Sequence, residues 1–506
     1  MSERNILQEI VDRRIKDMEI SGIEFGFKIP EKRLRKVHPF LDTKGAVLEV
    51  KRASPSKGDI APDLDSYETA LDYSKAGAKA ISCLTETNYF KGTLQDLMKV
   101  CKAVDDYEAE TGKTGPAVLR KDFLINAQEV EVAYRAGADA VLLISRILDV
   151  SVMISMAKKC QELGITALVE VRLQEDVDKL AKVVAEVDKK YIVAGVNSRD
   201  LRDFSIDLLT PCALLKKLQA VLGNDARVIF ESGIRTPKSA AFAGSLGFAG
   251  MLLGEAAAKN PEIRSELVKS FTESESTLNA DFWNKYAETK DYTPKLKVCG
   301  LTNRDDALLA VKIKADFLGF IFWNKSPRKA DGNIVKEICK ELKKKDDCPV
   351  LAGVIVDPDL EESKEAVNLV KEGYLDVLQL HTVNCARKFL SDNELRKLPH
   401  YAAVNISSEE DVKILDELFD SGEPRVLVDA QTSTQIGGTG KQISEELVKL
   451  VQKKYKLWIA GGINPENASE VVKKYLPELV DVASGVELSP GIKDVVKMEK
   501  LGKEIR

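Results

Sequence analysis

One phrase occurs twice in this chain, and it constrains the fold more than any other feature. V-I-F-E-S-G-I-R-T-P begins at Val228 and is followed by M-L-L-G-E, whose glycine is Gly254; L-W-I-A-G-G-I-N-P-E begins at Leu457 and is followed by V-A-S-G-V-E, whose glycine is Gly485. Each copy reads as a short apolar strand, a glycine turn, a helix start and a second apolar strand ending in glycine. In a (β/α)8 barrel the turns after strands 7 and 8, with a short extra helix, form the usual phosphate site, because glycine lets backbone N–H groups approach an oxyanion. Two copies imply two barrels. At 506 residues the chain has room for both, since one barrel takes about 250.

Short apolar runs alternate with longer amphipathic stretches along the whole chain, the pattern of β/α units around a parallel sheet. The first half gives eight strand candidates, at 46–51, 80–85, 117–121, 140–144, 167–171, 192–197, 228–231 and 250–254. The second half gives eight more, at 295–299, 317–322, 350–356, 377–380, 401–404, 426–429, 457–460 and 480–483. The expected fold is α/β, two tandem (β/α)8 TIM barrels, the first preceded by a mostly helical extension of about 45 residues. The stretch 272–294 is polar and ends in proline, which marks a linker with one short helix. The expected domains are 1–290 and 291–506.

Composition removes several function classes. Lysine and arginine (75) nearly balance aspartate and glutamate (80), so a net charge of −5 gives no reason to expect nucleic acid or an anionic membrane as a partner. Eight cysteines without a C-x-x-C pair and only three histidines suggest neither a disulfide framework nor a metal site. No apolar run approaches the ~18 residues of a membrane span, and the N-terminus is charged. The expectation is a soluble, monomeric protein of the reducing cytosol that acts on small molecules without a cofactor.

Chemistry is expected at strand ends. Glu49 and Lys51 point the same way from the first strand, Lys121 ends the third, and Glu170 lies near the end of the fifth. Charged groups there are costly to bury unless paired, and the C-terminal strand ends are where barrel enzymes carry their catalytic groups. A lysine whose pKa is lowered by burial or by a second lysine can act as an acid, with a carboxylate to relay the proton. An inward ion pair of purely structural use is the alternative. Ser54, in the S-P-S-K-G loop, can donate to a carboxylate or phosphate, and Arg199, after the sixth strand, can clamp a carboxylate.

L-E-V-K-R-A-S-P-S-K-G, L-T-E-T-N-Y-F-K-G-T, L-R-K-D-F, L-V-E-V, G-V-N-S-R-D-L and E-S-G-I together resemble indole-3-glycerol-phosphate synthase over about residues 1–270. The resemblance implies a decarboxylating ring closure of an anthranilate–deoxyribulose phosphate. It implies Lys121 as general acid, Lys51 as the second lysine, Glu170 in proton removal and dehydration, and Glu49 as the carboxylate that positions the lysines. How the acid role divides between Lys51 and Lys121 stays open. Asn197 and Arg199 match groups around the anthranilate carboxylate and hydroxyls, and Phe90 and Phe123 match walls for the aromatic ring. Ser54, Ser232, Gly233 and Gly254 match positions that bind carboxylate or phosphate. Glu255 stands where many relatives have serine beside the phosphate, so its side chain is expected to turn away while its N–H still donates.

In the second half Cys299 ends the first strand and Asp429 the sixth. A free cysteine is ordinarily a small core residue, and a strand-end aspartate often caps a turn. Together at the mouth of one barrel, a thiolate base and a carboxylic acid suit moving a proton between adjacent sugar carbons. K-V-C-G-L-T, G-F-I-F-W-N-K-S-P-R, L-Q-L-H, V-D-A-Q-T-S-T-Q-I-G-G-T-G-K, A-G-G-I-N-P-E-N and S-G-V-E resemble phosphoribosylanthranilate isomerase over about 295–495. That resemblance implies Cys299 as general base at the ribose C2 and Asp429 as general acid in an Amadori rearrangement. Arg328 would hold the anthranilate carboxylate. Gln379 and His381 would lie near substrate, His381 being equally readable as a satisfied barrel histidine. Gly438, Gly440, Gly462 and Gly485 would surround the phosphate.

The isomerase product is the synthase substrate, so the two halves are expected to catalyse consecutive steps of tryptophan biosynthesis. Fold and lysines alone would also allow tandem phosphosugar epimerases or aldolases, or one catalytic barrel beside a binding barrel.

Overall fold

The computed structural model describes residues 6–199, 205–288, 294–430 and 443–506. Two compact units divide between Ser276 and Thr277. In the first, eight parallel strands close into a barrel in chain order: β1 Gly45–Val50, β2 Ala80–Leu84, β3 Ala117–Lys121, β4 Ala140–Ile144, β5 Thr166–Val171, β6 Ile192–Asn197, β7 Val228–Glu231 and β8 Gly250–Leu253. Closure is made by β1 on β8, with Gly45 opposite Gly250 and Leu48 opposite Leu253. The second repeats this with β9 Lys295–Cys299, β10 Phe317–Ile321, β11 Val350–Ile355, β12 Val377–His381, β13 His400–Ile406, β14 Val426–Ala430, β15 Trp458–Ile459 and β16 Leu479–Val482. All sixteen expected strands form. They were readable because helices cover the outside and side chains fill the inside, so both strand faces are apolar and each strand is a continuous run. Val47, Leu119, Leu142, Leu168, Val193 and Ile229 fill the interior of the first barrel.

Among the described residues the N-terminal extension forms one helix, Ile6–Ser21, so less of it is helical than expected. That helix lies against the C-terminal strand ends through Ile10, which joins the Phe123 cluster, and through Arg14, whose Nη1 is 2.7 Å from Asp122 Oδ1. The next residues run as an irregular strap toward the opposite end, where Arg33 and Arg35 pair with buried Asp139 at 2.5 and 3.0 Å, just before β4. Phe40 and Leu41, 1% exposed, then close that end. Guanidinium groups rather than helix periodicity hold this segment, and a pattern search finds only the latter.

The helix Leu278–Glu288 falls in the second unit, whereas the polar linker containing it was expected to go with the first domain. Trp283 is fully buried, with its ring centroid 6.1 Å from that of Trp458; Tyr286 lies 5.5 Å from Trp458 and 6.3 Å from Phe317. Trp458 and Phe317 begin β15 and β10, so the helix covers the N-terminal strand ends, the face opposite Cys299. Asn279 Oδ1 also accepts from the His400 N–H at the start of β13, at 3.2 Å. Trp283→Ala is expected to cost the second unit about 3–5 kcal/mol, read from its urea midpoint. A loss below about 1 kcal/mol would make the helix a passive tether.

Candidate active sites

In the first barrel, alternation along β1 turns Glu49 inward, and Lys51 just beyond the strand follows the same parity. Lys51 Nζ is 2.5 Å from Glu49 Oε1, and Lys121 Nζ, from the end of β3, is 3.2 Å from Glu49 Oε2. Lys121 Nζ is also 3.4 Å from Glu231 Oε2, at the end of β7. Two glycines make room. A Cβ on Gly195 would stand 2.1 Å from Glu231 Oε1, and one on Gly254 would stand 2.6 Å from Lys51 Nζ and 2.7 Å from Glu49 Oε1.

Electrostatics then assign protons. Burial pushes the Glu49 carboxyl up, but the ammonium groups of Lys121 and Lys51 outweigh it and hold it at about 2. Burial pushes Lys121 down, yet Glu49, Glu231 and Glu170 outweigh burial and raise it above the ordinary lysine value. The expected lowered lysine is thus corrected: Lys121 is a fully charged acid held by carboxylates. Burial and the Glu231 carboxylate raise Glu170. Burial likewise raises Glu231, against the pull of Lys121.

The rim surrounds this centre. The Phe90 and Phe123 rings pack against each other, tilted by 38° with centroids 5.9 Å apart. Between Lys121 and Phe123, buried Asp122 is tied to Arg14 and to Arg120 Nη2 at 3.1 Å, which fixes the K-D-F turn. The Arg199 N–H donates to Asn197 Oδ1 at 3.0 Å, and its Nη1 donates to Ser56 Oγ at 3.4 Å, the same distance that separates Ser56 Oγ from Ser54 Oγ. The Glu255 carboxylate meets Lys57, in the S-P-S-K-G loop, and Lys259, each at 2.8 Å.

The repeated phrase has one backbone shape in both copies. Ser232 and Gly233 follow β7 with φ of +70° and +82°, and Gly461 and Gly462 occupy the corresponding place after β15 with +94° and +63°. Two successive residues of positive φ give the chain the same tight turn after β7 and after β15. Ser232 adopts this conformation without being glycine. After the eighth strands the counterpart of Gly254 is Ala483, not Gly485: their φ, ψ values are −98°, −87° and −121°, −81°. Gly485 allows a close backbone approach, since a Cβ there would lie 2.0 Å from the Ile463 carbonyl oxygen.

In the second barrel Cys299 ends β9 beside Gly319, where a Cβ would come within 2.6 Å of its Sγ. Burial raises the thiol, and Lys297 pulls against it. Asp429, on β14, is 7% exposed, and its Oδ1 accepts from the Ala430 N–H at 2.8 Å. Burial and the Asp481 carboxylate raise it to about 6. Arg328 is held against Glu487, with Nε 2.9 Å from Oε1 and Nη2 2.8 Å from Oε2. A Cβ on Gly300 would lie 2.8 Å from Arg328 Cδ, so that glycine admits the arginine to the rim.

Residues 27–270 match the family model for indole-3-glycerol phosphate synthase, and residues 296–504 match that for N-(5'-phosphoribosyl)anthranilate isomerase. The chain belongs to both families. Its synthase domain comes first and its isomerase domain second. The multifunctional tryptophan biosynthesis protein of Schizosaccharomyces pombe is 32% identical over 495 residues, covering 92% of this chain but 59% of its own length. Tryptophan biosynthesis protein TRP1 of Phytophthora nicotianae is 28% identical over 482 residues, covering 87% of each chain. The TrpCF protein of Helicobacter pylori strain 26695 is 29% identical over 462 residues, covering 91% of this chain and 89% of its own.

The structure gathers Glu49, Lys51, Lys121 and Glu170 into one charge-coupled centre of the synthase domain, and it brings Phe90 and Phe123 into contact with each other. In the isomerase domain it places Gln379 deeper than expected. Its carbonyl oxygen accepts from Lys297 Nζ at 2.7 Å and from the Tyr401 hydroxyl at 2.8 Å, and its amide lies 3.3 Å from His381 Nδ1. Burial and Lys297 lower His381 to about 4, so the ring is neutral. Gly438 and Gly440 lie outside the described residues. Sequence reading passed over Glu231, Lys297 and Asp481. Each carried a usable signal, a charge at inward parity within an otherwise apolar strand.

Proposed function

We propose that the chain catalyses two consecutive steps of tryptophan biosynthesis, isomerisation in the second domain and ring closure in the first. In the isomerase domain Cys299 takes the proton from the ribose C2 of N-(5-phosphoribosyl)anthranilate, and Asp429 protonates the ring oxygen as the furanose opens. The product is 1-(2-carboxyphenylamino)-1-deoxyribulose 5-phosphate. In the synthase domain the aromatic carbon attacks the carbonyl of that product while Lys121 protonates the carbonyl oxygen. CO2 leaves, and Glu170 assists the proton removal and loss of water that complete indole-3-glycerol phosphate. The observation that carries this reading is the pairing of a fully charged Lys121 with Glu49 and Glu231 at one strand-end face. It supplies a protonated donor whose charge is balanced by carboxylates before substrate binds. An intact acid and base in the second barrel argue against a purely binding role there.

The test is to supply purified full-length chain with N-(5-phosphoribosyl)anthranilate and follow loss of anthranilate fluorescence together with appearance of indole absorbance. Failure of either signal overturns the corresponding half. The pH dependence adds a sharper expectation. Turnover in the isomerase needs Asp429 protonated and Cys299 ionised at once, although the acid at about 6 titrates below the buried thiol. Below pH 6 the thiolate fraction falls while the acid is already saturated, so kcat/KM should drop about tenfold per pH unit. Above pH 6 the two fractions change in opposite directions and cancel, giving a plateau up to the thiol's own titration. A kcat/KM maximum confined near pH 6, falling on both sides, would contradict this assignment.

A further inference from the structure

Beneath Cys299 and Asp429 lies a buried charge pair that the acid–base steps leave unused. Lys297 is two residues before Cys299 on β9, so both side chains enter the barrel. The register sets Lys297 opposite Asp481 of β16, and Lys297 Nζ is 2.5 Å from Asp481 Oδ2. Lys297 is fully buried, and its ammonium is fixed from a second direction by Gln379, itself held by Tyr401. Asp481 Oδ1 is buried without a hydrogen-bond partner among the described residues.

We propose that Lys297 and Asp481 are positioning residues of the isomerase, an oriented dipole under the site that favours a thiolate at Cys299 together with a protonated carboxyl at Asp429. This rests on the reading of Cys299 as base and Asp429 as acid. The pair has no net charge, so its effect comes from direction. Lys297 draws Cys299 toward its anion, while Asp481 is the charged side chain that most disfavours an anion at Asp429. A lone lysine would ionise both groups and a lone aspartate would protonate both. Only the pair, with the ammonium toward the thiol and the carboxylate toward the acid, supports the one combination the reaction uses. Among the other polar groups facing this space, Lys493 also favours a thiolate at Cys299, but it does not act on Asp429. His381 is neutral, Gln379 and Tyr401 are uncharged, and Lys493 directs its ammonium to the carbonyl oxygens of Cys299 and Ala483 and to Glu487, at 2.7, 3.0 and 3.1 Å.

The experiment uses full-length chain and two variants. In Lys297→Met, the pH midpoint for iodoacetamide alkylation of Cys299, quantified on its own peptide by mass spectrometry, should rise by at least about one pH unit. The isomerase kcat/KM plateau should fall by less than about tenfold per pH unit of that rise, because loss of the ammonium also raises Asp429, with synthase turnover unchanged. In Asp481→Asn, the acidic limb of the isomerase profile should move to lower pH and the plateau fall by less than that shift, because the thiol is lowered too. Lost isomerase turnover with an unmoved alkylation midpoint and an unmoved acidic limb would reduce the pair to structural support and overturn the proposal. Should Lys297→Met fail to fold, Asp481→Asn, which keeps the side-chain size, decides alone through its acidic limb. Wild-type isomerase turnover in Cys299→Ala would instead overturn the base assignment, an outcome separate from either result for the pair.

Discussion

Lys121→Ala should abolish ring closure, lowering synthase kcat by about 10²–10⁴ or more, while isomerisation in the same molecule continues at its normal rate. The variant removes the proton donor and also the cation between Glu49 and Glu231, at 3.2 and 3.4 Å. Those carboxylates would then repel each other in a buried space, and Glu231 would be raised further. Lys121→Arg should not restore activity, because a planar guanidinium holds its charge permanently and does not release a proton. Fluorescence assays of the two steps on one preparation separate loss of chemistry from loss of fold. Equal loss of both activities would sink the assignment of separate sites.

Cys299→Ala should have the reverse effect. Isomerase turnover should fall by about 10²–10⁴, and ring closure of externally supplied isomerisation product should be untouched. Cys299→Ser is the stricter variant, since it keeps the volume that Gly319 accommodates, where a Cβ would already come within 2.6 Å of Sγ. A serine hydroxyl ionises far less readily than a thiol, so size without basicity should not rescue. Isomerase turnover at the wild-type rate in either variant would place the base elsewhere.

How much of this was readable without coordinates depended on the range of the interaction. Strands sandwiched between interior side chains and outer helices carry a local apolar signature, so even β15, a strand of two residues, was found within the run 457–460. Glu49, Lys121, Glu170, Cys299 and Asp429 stood out because each puts polarity at the end of such a run. Pairings between distant segments left no local trace. Lys297 and Asp481 are 184 residues apart, and Arg14 reaches Asp122 across 108. The segment 22–44 misled because its order comes from Arg33 and Arg35 gripping Asp139, and helix Leu278–Glu288 because its polar surroundings masked the burial of Trp283.

That helix also sets an order of events during synthesis. It leaves the ribosome ahead of every strand of the isomerase barrel, yet the ring that completes its seat, Trp458, is made only after six of those strands have emerged. Until then its aromatic face has only part of its native partner, and the late docking spans most of the domain, a contact of long loop closure and slow formation. The nascent isomerase domain therefore carries an exposed tryptophan–tyrosine face through most of its own translation, the interval in which it is most open to capture by chaperones or by a neighbouring chain.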